Sequence, residues 1–180
     1  MKDDAFLALT IDKDEVYVGE GFTATLAFYV TDENRADLSF YDLPKQLADI
    51  LKEIKPKNCW EENFNIEKID GERMMINNKM TTQYKMFQAT FYPLNNEPVE
   101  FPSVGLKMVK YLQAKNPSFF SSNRKEDFKT YYSSPKTIKV KALPTHPLKE
   151  SVAVGRYTFS ENISSNELKT GESFNYSFTV

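Results

Sequence analysis

The sequence predicts a mainly β fold: an immunoglobulin-like antiparallel β-sandwich with one inserted short helix, followed by the start of a second β-sandwich module. Three observations carry this. Glu15-Val16-Tyr17-Val18-Gly19-Glu20-Gly21-Phe22 recurs as Glu167-Leu168-Lys169-Thr170-Gly171-Glu172-Ser173-Phe174, an offset of 152 positions. Aromatic residues make up 14% of the chain, with 14 Phe and 10 Tyr, and that composition favours strands. Many short segments alternate apolar and polar residues between turn signals, while one segment alone has helical spacing. The repeat spacing is one domain length. It divides the chain into a β-sandwich domain at 1–143, a linker at 144–151 and a truncated second domain at 152–180.

Phe6 to Ile11 reads as the first strand. Val16 and Val18 share parity with Phe22, Ala24, Leu26, Phe28 and Val30, so one face points inward and one to water. Gly19-Glu20 interrupts this run as a bend. After a polar stretch, Leu43, Leu47, Ile50, Leu51 and Ile54 fall on one helical stripe. Asp42 suits the N-cap, Pro44 the first turn, and Pro56 the end. The helix is expected to lie across the edge or end of a sheet; a partner-binding amphipathic helix is the other reading.

Cys59-Trp60 opens an extended stretch, and Asn77-Asn78-Lys79 reads as a hairpin turn because Asn tolerates positive φ. Gln83 to Tyr92 alternates so that Lys85, Phe87, Ala89 and Phe91 share one face and Tyr84, Met86, Gln88, Thr90 and Tyr92 the other. Val99 to Pro102 and Val104 to Val109 are expected to pair with each other. Leu112 to Asp127 reads as a long exposed loop. Phe128 to Tyr132 and Thr137 to Ala142 close the domain, with Ile138 and Val140 inward. Leu143-Pro144-Thr145-His146-Pro147 makes a short stiff connector. Beyond it Val152, Val154, Tyr157 and Phe159 begin the second module. The sequence reaches Val180 in the middle of a strand pattern, which predicts a fragment of a longer protein. A strand or two cannot offset the cost of ordering about 30 residues. The tail should therefore lie on the first domain or pair through an open edge.

The balance of charge argues against nucleic acid or an anionic membrane surface as partner. Basic residues number 23 and acidic residues 25, spread along the chain, for a net charge of −2. No apolar run approaches the ~20 residues of a membrane-spanning helix, and no signal-peptide core precedes Phe6. One cysteine, Cys59, and one histidine, His146, supply neither an internal disulfide nor a zinc site. With Gly at only 6 positions there is no phosphate-cradling loop.

An ordered series of motifs resembles one family. It runs Glu15-Val16-Tyr17-Val18-Gly19-Glu20-x-Phe22, Trp60-Glu61-Glu62, Asn77-Asn78, Thr90-Phe91-Tyr92-Pro93 and Val99-Glu100-Phe101-Pro102. Ser134 to Pro144 follows (SPKTIKVKALP), then Ala153-Val154-Gly155-Arg156-Tyr157. The series is similar to the N-terminal part of the BatD-type aerotolerance, or oxygen tolerance, proteins of bacteria. The resemblance implies tandem β-sandwich modules on the periplasmic face of the inner membrane, held by a membrane helix near the C-terminus. It implies as partners von Willebrand A-domain membrane proteins encoded beside a MoxR-type ATPase. It implies no cofactor and no small-molecule substrate.

No catalytic, cofactor or metal residue is assigned. A hydrolytic triad needs a base, and the only histidine sits in the connector. Cys59 reads as a half-buried strand residue rather than a redox centre. The acidic pairs Asp3-Asp4, Asp14-Glu15, Glu61-Glu62 and Glu126-Asp127 lack calcium-loop spacing; a cation at Asp12, Asp14 and Glu15 is the sharper alternative. Glu20 and Glu172 read either as partner contacts or as carboxylates that accept backbone N–H bonds at the bend. Phe119-Phe120 is the candidate exposed apolar contact, with folding back onto the sandwich as the other reading. Two functions follow. The first is a non-enzymatic protein-interaction or scaffold module, which is not separated here from a chaperone-like or inhibitor-like edge binder. The second is a carbohydrate-binding or adhesive module using Tyr17, Tyr29, Tyr41, Tyr84, Tyr131 and Tyr132.

Overall fold

A computed structural model describes residues 4–113, 124–149 and 151–180. The chain is mainly β, with antiparallel sheets and a single short helix among the described residues. The first sheet contains β1 (Ala5–Ile11), β3 (Phe22–Thr31), β7 (Lys79–Pro93), β5 (Cys59–Asn63) and β6 (Gly71–Ile76). The long β7 carries both β6 and β5 on one edge: β6 pairs over Lys79 to Tyr84 and β5 over Ala89 to Pro93. Two three-stranded sheets complete the body. One orders β10 (Arg124–Tyr132), β9 (Gly105–Gln113) and β4 (Asp37–Phe40). The other orders β2 (Glu15–Tyr17), β11 (Lys136–Lys141) and β8 (Val99–Phe101).

One hydrophobic core joins all three sheets in a sandwich-like arrangement. Phe22, Leu26, Phe28 and Phe91 from the first sheet meet Val99, Phe101, Leu106, Met108, Ile138 and Val16 from the other two. Phe22 lies 5.9 Å from Phe91 and 6.2 Å from Phe101, ring centre to ring centre. Ile138 is buried and Val140 packs against the core, as their parity predicts.

The helix α1 (Leu43–Ile54) covers a strand edge. Ile50 and Ile54 enter the core. Gln46 then lines the helix against β9: its Nε2 donates to the Lys107 carbonyl at 3.0 Å and its Oε1 accepts from the Lys107 N–H at 2.8 Å. Since β4 pairs with β9 only as far as Phe40↔Met108, this side-chain amide takes up the next backbone pair. Ile54→Ala is expected to cost about 2–5 kcal/mol, the range for emptying a fully buried aliphatic site, as measured by urea denaturation. At the helix start Asp42 occupies the N-cap position, but its carboxylate makes no cap bond. Its backbone is left-handed (φ 39°) and its carbonyl accepts from the Gln46 N–H at 3.1 Å. Lys55 is extended before Pro56, as the proline ring requires.

Several expectations are corrected. The body is not wholly antiparallel: β2 runs parallel to β11, with Val16 opposite Val140. The chain leaves β1, crosses to the other sheet as β2, and the Gly19 bend returns it to the first sheet as β3. The faces of β7 do not follow simple alternation. A register shift at Leu26/Ala27 makes room for a bulge, so Phe87 opposes Leu26 while Lys85 opposes Ala27. Met86 and Phe87 are both buried, and Lys85 lies on the face opposite Phe87. β8 pairs with β11 rather than β9. β9 and β10 extend into the expected 112–127 loop, since β10 begins at Arg124. The Asn77-Asn78 turn is as expected, with φ 48° and 61° joining β6 to β7.

Candidate interaction surface

The sequence repeat is a structural repeat. Gly19 and Gly171 both hold positive φ, 79° and 93°, where an added Cβ is strained. In each copy the glutamate after the glycine closes the bend on the residue two before it. The Glu20 N–H donates to the Tyr17 carbonyl at 3.0 Å, and the Tyr17 N–H donates to Glu20 Oε2 at 3.0 Å. The Glu172 N–H donates to the Lys169 carbonyl at 3.0 Å, and the Lys169 N–H donates to Glu172 Oε2 at 2.9 Å. These two carboxylates accept backbone N–H bonds at a bend, the second of the two readings offered by the sequence.

The equivalence continues into the strands. β12 (Ser160–Ile163) pairs antiparallel with β13 (Tyr176–Thr179), placing Glu161 opposite Phe178 and Ile163 opposite Tyr176. In the body, β1 places Leu9 opposite Leu26 and Ile11 opposite Ala24. Every one of these pairs is related by the same 152 positions. Even the strand-end bonds match. The Thr23 N–H donates to the Asp12 carboxylate at 2.7 Å, and the Asn175 N–H donates to the Ser164 hydroxyl at 2.9 Å.

Burial is what differs. Phe22 is 0% exposed and its counterpart Phe174 is 49% exposed; Leu26 is 0% exposed and Phe178 65%. Phe159, Ile163, Leu168, Tyr176 and Val180 are exposed as well. The β12–β13 ribbon therefore carries the side-chain pattern of a core wall without a core. It does not lie on the body. The segment that precedes the ribbon meets the body: Val154 lies at the bend at Gly19, and Arg156 acts electrostatically on Glu20.

That junction forms a polar cleft of about 540 Å³ whose lining includes Lys13, Glu15, Glu20, Lys141 and Arg156. Its charges are mostly spoken for. Lys13 Nζ donates to Glu20 Oε1 at 2.9 Å and to the Gly21 carbonyl at 2.6 Å, and Lys141 pairs with Glu15. Burial pushes the Glu20 carboxyl up. The Tyr17 N–H bond, the Lys13 bond and charge, and the Arg156 charge together outweigh it, leaving the group below its ordinary value.

The other sequence candidates are dispersed. Asp12 and Glu15 have the partners already named, and among the described residues no cluster of three His, Cys, Asp or Glu side chains is arranged to hold a metal. His146 Nδ1 accepts from the Leu148 N–H at 3.1 Å in the exposed connector. Cys59 is half-buried on β5, and burial pushes its thiol up to about 11. Iodoacetamide should therefore alkylate the folded chain at pH 8 roughly 100-fold more slowly than the urea-unfolded chain, the factor in thiolate population. Equal rates would contradict this burial. Phe119-Phe120 lies outside the described residues.

The six tyrosines form no common surface. Tyr29 is buried, stacked on Phe6, with its hydroxyl accepting from Gln83 Nε2 at 2.8 Å. Tyr131 is buried edge-on to Phe28, and Tyr84 packs edge-on to Phe40. Tyr41 meets Phe128 beneath the Lys107 ammonium. A different aromatic pair, Trp60 and Tyr92, is on the surface. Trp60 is 56% exposed, the rings lie 5.2 Å apart, and the Tyr92 hydroxyl donates to Glu62 at 3.2 Å. The signal that finds it is the Trp60-Glu61-Glu62 segment, where a large ring alternates with a carboxylate along one strand. No protein-family model and no curated protein matches the chain.

Proposed function

We propose that this chain is a non-enzymatic protein-interaction and scaffold module, part of a BatD-like protein of the bacterial cell envelope linked to oxygen tolerance or envelope stress. What supports the interaction role is the repeat: a β12–β13 ribbon in the register of β1–β3 follows the sandwich, the arrangement of tandem β modules. The immunoglobulin-like reading and the envelope setting rest on the ordered motif series from Glu15 to Tyr157. On the same ground the partners are von Willebrand A-domain membrane proteins of the same gene cluster. The test is a pull-down of those proteins by the full-length ectodomain. Retention in a salt-resistant complex supports the reading, and no retention of any of them rejects it.

Trp60 favours one second reading, a carbohydrate-binding or adhesive module. An exposed indole beside Tyr92, with Glu62 hydrogen-bonded at its flank, offers a stacking face and an acceptor for a sugar ring. On a glycan array this reading expects binding that Trp60→Ala abolishes. An array without binders dismisses it.

A further inference from the structure

The connector leaves the body and comes back to it at the same bend. At the end of β11 the Lys141 carbonyl accepts from the Val18 N–H at 3.0 Å, one residue before Gly19. The connector then turns on itself: the Lys149 N–H donates to the His146 carbonyl at 3.2 Å and the Ser151 N–H to the Leu148 carbonyl at 3.0 Å. Val154 next sits on Gly19, its Cβ 3.9 Å from where a Cβ on that glycine would stand. From Ser151 to Ser164, Val154 is the one residue that is not exposed.

We infer that the Gly19–Glu20 bend is the seat of a clasp: Val154 docks on it, Arg156 adds charge attraction, and the docked connector fixes the direction in which the second module leaves the body. The inference goes beyond the scaffold reading and needs no partner. Few residues separate the seat from the ribbon, and they are tied to it at both ends. The Tyr157 ring comes within 3.4 Å of where a Cβ on Gly155 would stand, and Phe159 lies 6.2 Å from Phe178, ring centre to ring centre. β12 begins at Ser160, so the docked valine directs the ribbon. Pro144 and Pro147 lower the entropy lost when the connector closes on the bend.

The charges on the two sides of the joint are complementary. The body side of the cleft carries four carboxylates, Asp12, Asp14, Glu15 and Glu20, against two ammonium groups, Lys13 and Lys141. Arg156 is the cation that the connector brings to this acidic wall, and it acts on Glu20, whose carboxylate also closes the bend. That attraction crosses solvent-exposed ground and is screened by salt. The valine contact is not. The clasp therefore has one part that salt weakens and one that it leaves in place.

The test traps the joint in the whole chain carrying Cys59→Ser. With oxidised glutathione, Gly19→Cys/Val154→Cys should close into a disulfide, because a Cβ separation of 3.9 Å suits one, and Gly19→Cys/Val152→Cys should close roughly tenfold more slowly or not at all. Adding Arg156→Glu should slow closure of the first pair roughly two- to fivefold in dilute buffer; Arg156→Lys should restore the rate, and high salt should remove the difference. The locked chain should give the small-angle scattering profile of the parent. A second measurement leaves Gly19 in place: Val154→Cys alone should react with iodoacetamide roughly threefold or more slowly than Val152→Cys, and Arg156→Glu should narrow that gap. Equal closure of both pairs, equal alkylation of the two thiols, indifference to Arg156→Glu, or a parent more extended than the locked chain would overturn the inference.

Discussion

Phe22→Ala is expected to destabilise the chain by about 3–5 kcal/mol, the range for removing a buried aromatic ring. For a chain of this size that corresponds to a fall in Tm of roughly 6–20 °C. The same substitution one repeat later, Phe174→Ala, is expected to change stability by less than about 0.5 kcal/mol, as is usual on a surface. The two phenylalanines hold the same place after the same glycine bend. They differ in that Phe22 packs against Phe91 and Phe101 while Phe174 is half exposed. Calorimetry on the two variants makes the comparison. Similar losses would mean that the second ribbon is covered in solution by the body.

Glu20→Ala is expected to cost about 1–3 kcal/mol, because the Tyr17 N–H and the Lys13 ammonium both lose a charged acceptor. Glu172→Ala removes only an exposed bond to the Lys169 N–H, which water replaces. The Glu20 contribution also has a definite pH dependence. Its folded-state pKa lies below the ordinary 4.5. The stabilisation is therefore complete above the ordinary value and is lost as pH falls through the lowered one. Urea midpoints measured from pH 7 down to pH 3 should show Glu20→Gln less stable at neutral pH and converging on the parent chain in acid. A constant gap between the two across that range would contradict the assignment.

Local chemistry was readable where a residue type has one use. Gly19 and Gly171 mark positive φ, Asn77-Asn78 marks a hairpin, and the Leu43–Ile54 stripe with its flanking prolines marks the helix. Glu20 was readable as a bend carboxylate because it recurs with the glycine. Long-range pairing was not readable. β8 has the alternation of any short buried strand, and nothing in Val-Glu-Phe says that its neighbour is β11. The bulge at Met86 inserts one apolar residue among others, so it alters the faces of β7 without altering its composition. Glu126 and Asp127 disguised the start of β10 because an end strand facing water carries charge where a central strand does not. The six tyrosines were ambiguous for a related reason: Tyr suits both faces of a sheet, and the structure divides them between core and surface. Trp60 was visible as a strand residue, while its exposure depended on β5 closing the sheet beside Tyr92.

The structural repeat requires that β12 and β13 pair in the register of β1 and β3. Directly opposed residues lie about 4.5–5.5 Å apart between Cα atoms, within reach of a disulfide. With Cys59 replaced by serine, the Glu161→Cys/Phe178→Cys pair should close into an intramolecular disulfide under mild oxidation, and Glu161→Cys/Tyr176→Cys, shifted by two residues on the same face, should stay reduced. Preferential closure of the shifted pair, or closure of neither, would contradict it.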